Sequence, residues 1–445
     1  MHSQTEETIK PMKKLSLIEV IAMAVGIMIG ASIFSIFGIG AQIAGRDLPE
    51  AFLLASFYAL IVAYSYSKLG AKIVTNSGPI GFILKGMGDN VITGTLSILL
   101  WLSYVVCIAL FSEGFSGYFL PLLKLESSYI NNSIVVAVLI LFFVGLNIIG
   151  SKAVGKSQVF IVILKIGIIF AFIIGGIWSI QAGNIEPDFN IRDSYGFVSA
   201  SVIFFLSYMG FGLITNASEN LVNPEKNVPR AIFLSILIVL MIYVLISLVT
   251  LGNLPISKVI AAKENALAIA AMPFLGHFGF LLVSLGALIS IASALNATIF
   301  GGANISYSLA KDGELPKIFE RRLWFKSQEG LYLTAGLGLV FSLVFDLGAI
   351  ASITSTVFTT VYIFVIISHI KLRKKYGGNL PLLIFNLAVI IFVLIALLTY
   401  QWQSHRSAFY GTIITFTVAF VIEYMYRTIK NRKLTEHHKN HLKNS

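Results

Sequence analysis

Charge and cysteine are what this sequence has least of. Only 12% of its 445 residues are Asp, Glu, Lys or Arg, roughly half the charged share of a soluble domain. Too little polar surface exists to clothe a water-soluble globule of this length. The single cysteine, Cys107, excludes an intrachain disulfide and a thiolate zinc cluster. The histidines (His2, His277, His369, His405, His437, His438 and His441) show no metal-ligand spacing within a hydrophobic segment, so no metal is expected. Paired carboxylates, an HExxH pattern and a serine–histidine arrangement are also missing from those segments, so no catalytic residue and no enzyme is expected. The eleven prolines all fall at segment ends or in loops. An interior break in a helix must therefore come from glycine, whose bare backbone a ligand can approach closely. The polar stretch Met1–Met12 lacks the n-region, h-region and cleavage site of a signal peptide, so the first hydrophobic segment is expected to stay.

What the sequence has is hydrophobicity, 57% of residues with a mean hydropathy of +0.86. It falls into twelve segments near 17–44, 49–67, 93–120, 133–150, 157–180, 197–222, 230–252, 276–309, 331–347, 349–370, 381–400 and 408–427. Most are long enough for a helix to cross a bilayer, which takes about 20 residues. An even number puts both termini on one side. With that side cytoplasmic, the inner segments hold Lys10, Lys13, Lys14, Lys68, Lys72, Lys85, Lys152, Lys156, Lys226, Arg230, Lys311, Lys317, Arg321, Arg322, Lys326, Lys371, Arg373, Lys374, Lys375 and the basic tail. The outer loops hold only Arg46, Lys124, Arg192, Lys258, Lys263 and Arg406. This asymmetry orients the chain in a cell membrane with cytoplasmic termini. The net charge of +11 is then topological and implies no nucleic-acid partner.

The expected organisation is a cytoplasmic tail over 1–14, a first half over 15–180, a second half over 197–370, two further helices over 381–427 and a charged cytoplasmic tail over 428–445. Residues 68–90 read as a re-entrant or interfacial element on the inside. Residues 253–275 read as an alanine-rich helical counterpart outside. Five segments per half is an odd number, so the second half starts from the opposite side and repeats the first upside down, making segments 1 and 6 equivalent. Both carry glycine clusters, Gly26-Ile27-Met28-Ile29-Gly30-Ala31-Ser32 and Ser207-Tyr208-Met209-Gly210-Phe211-Gly212. A break at each would free backbone N–H and C=O groups at mid-membrane depth, where lipid cannot satisfy them and a ligand can. The pattern Gly26-x-x-x-Gly30 equally suits close helix packing.

Three stretches resemble the amino acid–polyamine–organocation superfamily of permeases. They are Gly26 to Gly38; Phe204 to Ile232, with Glu219, Asn223-Pro224 and Val228-Pro229-Arg230-Ala231; and Ser290 to Pro316. The chain is similar in particular to the proton-coupled, broad-specificity ApcT-type amino-acid transporters. The resemblance implies an all-α polytopic fold of twelve transmembrane helices, a LeuT-like five-plus-five inverted repeat with discontinuous helices 1 and 6.

The resemblance also implies a substrate site. The backbone of Gly30, Ala31 and Ser32, with the Ser32 hydroxyl, would hold a carboxylate, as helix N-termini do. Carbonyls of Ile27, Phe205, Leu206 and Met209 would accept from the ammonium. Many relatives carry Asp or Glu where this chain has Gly212, so a cationic side chain is less expected here than a small neutral one.

Lys165 lies in the middle of the fifth segment, where a lysine costs about 2.5–3.5 kcal/mol on insertion scales. Loss of solvation favours the neutral amine, which suits a proton carrier. In ApcT-like proteins such a lysine ammonium takes the place of a symported sodium ion. The matching partners here are the Gly26 carbonyl and Ser290, with Ser293 nearby. A permanently charged cross-link is the alternative role. The expected function is proton-coupled import of α-amino acids by alternating access, with the proton as coupling ion and no cofactor, no obligate protein partner and no nucleic acid. A sodium- or proton-independent exchanger and a non-transporting amino-acid sensor are the alternatives.

Overall fold

The computed structural model describes residues 15–75, 78–149, 152–187, 194–216, 218, 221–311, 315, 319 and 329–430. Ser16 starts the first helix with a reciprocal cap. Its hydroxyl accepts from the Glu19 N–H at 3.3 Å while the Glu19 carboxylate accepts from the Ser16 N–H at 2.7 Å, satisfying two donors that a helix start leaves open.

Helix α1 (Leu17–Ala44) then runs without interruption. Gly26, Gly30, Ala31 and Ser32 are all helical, so the expected discontinuity of helix 1 is corrected. The glycines serve contact instead. A Cβ on Gly26 would stand 2.7 Å from Val162 Cγ2, and one on Gly30 2.7 Å from Lys165 Nζ. Both bring α1 against α6 (Lys152–Ile177). This is the packing use of the Gly-x-x-x-Gly pattern.

The sixth segment does change character. It runs as α7 (Ser194–Phe204), a 3₁₀ stretch (Phe205–Phe211) and α8 (Gly212–Asn216). A seven-residue 3₁₀ run exceeds the three or four residues usual for this tighter, less favourable helix. Gly210 lets it lie on α1, since a Cβ there would meet Met28 Cγ at 2.7 Å and the Ala24 carbonyl at 3.0 Å.

The remaining helices follow the hydrophobic segments closely. They are α2 (Leu48–Lys72), α4 (Val91–Leu122), α5 (Tyr129–Ile149), α9 (Pro224–Asn253), α12 (Met272–Lys311), α13 (Glu329–Val344), α14 (Leu347–Tyr376), α15 (Leu380–Ser404) and α16 (Arg406–Lys430). Helix α9 starts earlier than expected, so Pro229 sits within it. The inner stretch folds as α3 (Pro79–Met87), buried along its first six residues and packed on α4 and α14. The outer stretch forms α10 (Ile256–Ala261) and α11 (Ala266–Ala270).

Among the described residues, nine helices are long and apolar enough to cross a membrane. Helix α1 sits at the centre, touching α4, α6, α7, the 3₁₀ stretch, α9 and α12. Helices α5 and α15 lie outside it and turn Ile134, Val138, Leu141 and Phe142, and Ile384, Phe385, Phe392 and Ile395, outward. Such contiguous apolar faces need lipid. Trp178 and Trp402 are exposed, as interfacial anchors would be. Trp101 is not: it is buried and donates Nε1–H to Thr334 Oγ1 at 2.9 Å.

Candidate functional site

Two spaces among the described helices flank a cluster of rings. Toward the Ala44 end of α1, a recess of about 620 Å³ is bounded by Gly38, Gln42, Gly196, Ser199, Glu264 and Asp346. Toward the Leu17 end, a cavity of about 230 Å³ is bounded by Ile27 and Met28 on α1 and by Leu206, Ser207, Met209 and Gly210 on the 3₁₀ stretch. Between them Phe52 stacks on Phe204 at 3.9 Å and lies 5.1 Å from Tyr243, which meets Tyr208 at 5.4 Å. The Tyr208 hydroxyl donates to the Phe52 carbonyl at 3.2 Å. Along α7 and its continuation, Gly196 and Ser199 border the recess, Phe204 and Tyr208 belong to the ring layer, and Leu206, Ser207, Met209, Gly210, Gly212 and Leu213 border the cavity.

The cavity collects part of the expected site. Ile27, Leu206 and Met209 line it. Phe205 is fully buried beside it, 6.1 Å from the Tyr58 ring and 5.4 Å from the Tyr362 ring. Gly30 faces α6 and α12. The backbone of Gly30, Ala31 and Ser32 is helical, so its N–H groups serve the helix; the side chains of Ala31 and Ser32 lie outside the described residues.

Lys165 is brought to α1. Its side chain is 2% exposed and its Nζ donates to the Gly26 carbonyl. The point where a Gly30 Cβ would stand is 2.7 Å from this Nζ and 3.4 Å from Ser290 Oγ on α12. Among the described residues, the buried Ser290 hydroxyl has no hydrogen-bond partner. Three helices thus meet at one buried amine. On α4, Glu113 is half-buried and accepts from Asn132 Nδ2 at 2.6 Å. Glu219 lies outside the described residues.

Tyr243 on α9 escaped sequence reading. Its buried hydroxyl reaches the Met28 carbonyl at 2.6 Å and the Ser207 carbonyl at 3.3 Å, linking α1 to the 3₁₀ stretch. A tyrosine in a hydrophobic run is unremarkable by itself, and only the carbonyls it meets give it a role. Tyr66, Tyr104 and Tyr362 also line the cavity from α2, α4 and α14.

A small cavity at mid-depth among hydrophobic helices, bordered by irregular backbone and walled from one end, is the architecture of a carrier for a small solute. A family model described as amino acid permease matches residues 15–422, and the chain belongs to that family within the amino acid–polyamine–organocation superfamily. It is a multi-pass membrane protein of amino-acid transport, not an enzyme. It is 57% identical to an uncharacterized protein of Methanocaldococcus jannaschii, over 94% of this chain and 97% of that one. It is 31% identical to the inner membrane transport protein YbaT of Escherichia coli, over 92% and 95%. It is 26% identical to the methylthioribose transporter of Bacillus subtilis, over 82% of each.

Proposed function

We propose that the protein imports α-amino acids across the cell membrane together with protons, by alternating access, and favours small neutral side chains. The observation that carries this reading is the Lys165 ammonium on the Gly26 carbonyl, with Ser290 beside it. A charge buried among three helices holds them together while it is protonated. Losing the proton removes the charge and weakens the tether, so two helix arrangements alternate with two protonation states. Sodium is disfavoured because the ammonium would repel it.

Twelve crossings, a five-plus-five inverted repeat and cytoplasmic termini complete the reading. With that orientation, the cavity opens toward the inside and the ring layer closes the outside. The substrate ammonium would be taken by carbonyls of the cavity wall at Ile27, Leu206 and Met209. The carboxylate would need the N–H groups of Gly30, Ala31 and Ser32 to leave their helical acceptors, so loading is coupled to local unwinding of α1. The proton is the coupling ion, and no other cofactor is invoked. The methylthioribose relative makes the head group worth testing directly.

The test is uptake of labelled amino acids into liposomes under an imposed pH gradient. The wild type concentrates substrate when the outside is acidic. Lys165→Ala exchanges substrate but does not concentrate it. Concentrative uptake by Lys165→Ala with an unchanged pH profile would overturn the coupling role. Gradient-independent exchange by the wild type would favour the exchanger reading.

A further inference from the structure

Three phenols converge on the cavity from three helices. Tyr66 is held edge-on by Phe82, Phe211 and Tyr362, with ring centroids 5.8, 5.3 and 5.6 Å away. Tyr104 is held against α12, where a Cβ on Gly301 would be 3.0 Å from its ring and one on Gly302 3.1 Å from its Cβ. Tyr362 also stacks on Phe211 at 5.8 Å. The hydroxyls of Tyr104 and Tyr362 both lie within electrostatic reach of the Tyr66 hydroxyl. Three rings fixed by packing therefore present polar groups to one another across the same small space.

None of these hydroxyls bonds to another described residue, although Tyr66 and Tyr362 are almost wholly buried. Buried tyrosine hydroxyls ordinarily find a partner. Packing alone does not call for them, because Phe111 and Phe358 fill the same wall without a polar atom. No charged side chain among the described residues lines the cavity. Gly212 sits beside Tyr66, with a Cβ position 3.8 Å from its ring, and offers no side-chain acceptor. The polar chemistry of this wall is thus neutral, able to donate and accept, and open to a ligand.

We propose that Tyr66, Tyr104 and Tyr362 form the side-chain subsite of the cavity and select α-amino acids whose short, uncharged side chain carries a hydrogen-bonding group, such as threonine, serine or asparagine. This rests on the cavity being the amino-acid site. A hydroxyl or carboxamide satisfies the phenols. An apolar side chain of the same size displaces water from them and leaves them unpaired, a stronger source of discrimination than added apolar contact. A cationic or anionic side chain meets no opposite charge.

The test is binding of labelled threonine and of labelled valine, its near-isostere, to the purified protein in lipid nanodiscs. The wild type binds threonine about tenfold more tightly than valine. Tyr104→Phe and Tyr362→Phe each remove most of that preference, by weakening threonine and strengthening valine, whose unpaired-hydroxyl penalty is gone; tighter valine binding also shows that the variants fold. Equal affinities in the wild type, or a preference unchanged in both variants, overturn the subsite. If neither binds while labelled alanine or leucine does, the subsite alone falls; if no labelled α-amino acid binds, the proposal falls together with the reading on which it rests.

Discussion

Lys165 and Gly26, 139 residues apart, are joined by a hydrogen bond from the lysine Nζ to the glycine carbonyl. The carbonyl belongs to an unbroken helix, so it receives this donor in addition to its helical one. Two residues on, the Met28 carbonyl receives the Tyr243 hydroxyl in the same way. Helix α1 is thus gripped by side chains of α6 and α9 across the region where its glycines are concentrated.

Gly30 should tolerate nothing larger. A Cβ there would stand 2.7 Å from Lys165 Nζ, which forces the ammonium away from α1. Overpacking of this kind costs about 1–3 kcal/mol. Gly30→Ala is expected to lower the thermal midpoint and abolish concentrative uptake. Gly145→Ala on α5, where no atom lies within 4 Å of the new Cβ, is the matched control. Normal uptake by Gly30→Ala would show that the Lys165 position is not critical.

Tyr243→Phe removes one hydroxyl and keeps the ring in the aromatic layer. The lost bonds to Met28 and Ser207 lie at the joint between α1 and the 3₁₀ stretch. The expected stability loss is about 1 kcal/mol. Uptake should fall more than that loss explains, because the joint also borders the cavity. Thermal unfolding and initial uptake rates on the same preparation separate the two effects.

Cys107 is the only thiol and borders the cavity. Alkylation by a small membrane-permeant maleimide should block uptake, and a saturating amino-acid substrate should slow the alkylation. Cys107→Ser should take up substrate normally and resist the reagent. Labelling at one rate with and without substrate would place the ligand elsewhere.

At the basic end of α16, Arg427 pairs with Asp89 and donates Nε–H to Glu423 at 3.1 Å. Glu423 is fully buried, beside Gly94. Removing one partner of a buried pair leaves a charge poorly compensated, at about 3–5 kcal/mol. Arg427→Ala should therefore destabilise far more than Asp89→Asn, and Glu423→Gln should restore part of the loss. Equal thermal midpoints for the two single variants would mean that the buried carboxylate has sufficient other support.

Much of the helical layout was legible because segment length and hydropathy encode it. The first segment was expected over 17–44 and forms Leu17–Ala44. Within 68–90, read as a re-entrant or interfacial element, Pro79–Met87 forms a short helix buried along its first six residues. The sixth segment's irregularity was legible in its glycines, but its form as a 3₁₀ run was not. The first segment misled, because a glycine pair at helical spacing can either break a helix or let another approach it. Which use prevails depends on whether a neighbour fills the space, and here Val162 and Lys165 fill it.

Composition and the placement of charge were enough to determine a lipid-embedded helical chain with one costly lysine at mid-depth, because the price of stranding polar groups in hydrocarbon is paid locally, residue by residue. The meeting of Lys165 with Gly26, of Tyr243 with Met28, and of three tyrosine hydroxyls around one cavity was decided only in three dimensions. Those partners lie on helices distant in sequence. Helix rotation and close packing select them, and neither is written in any single segment.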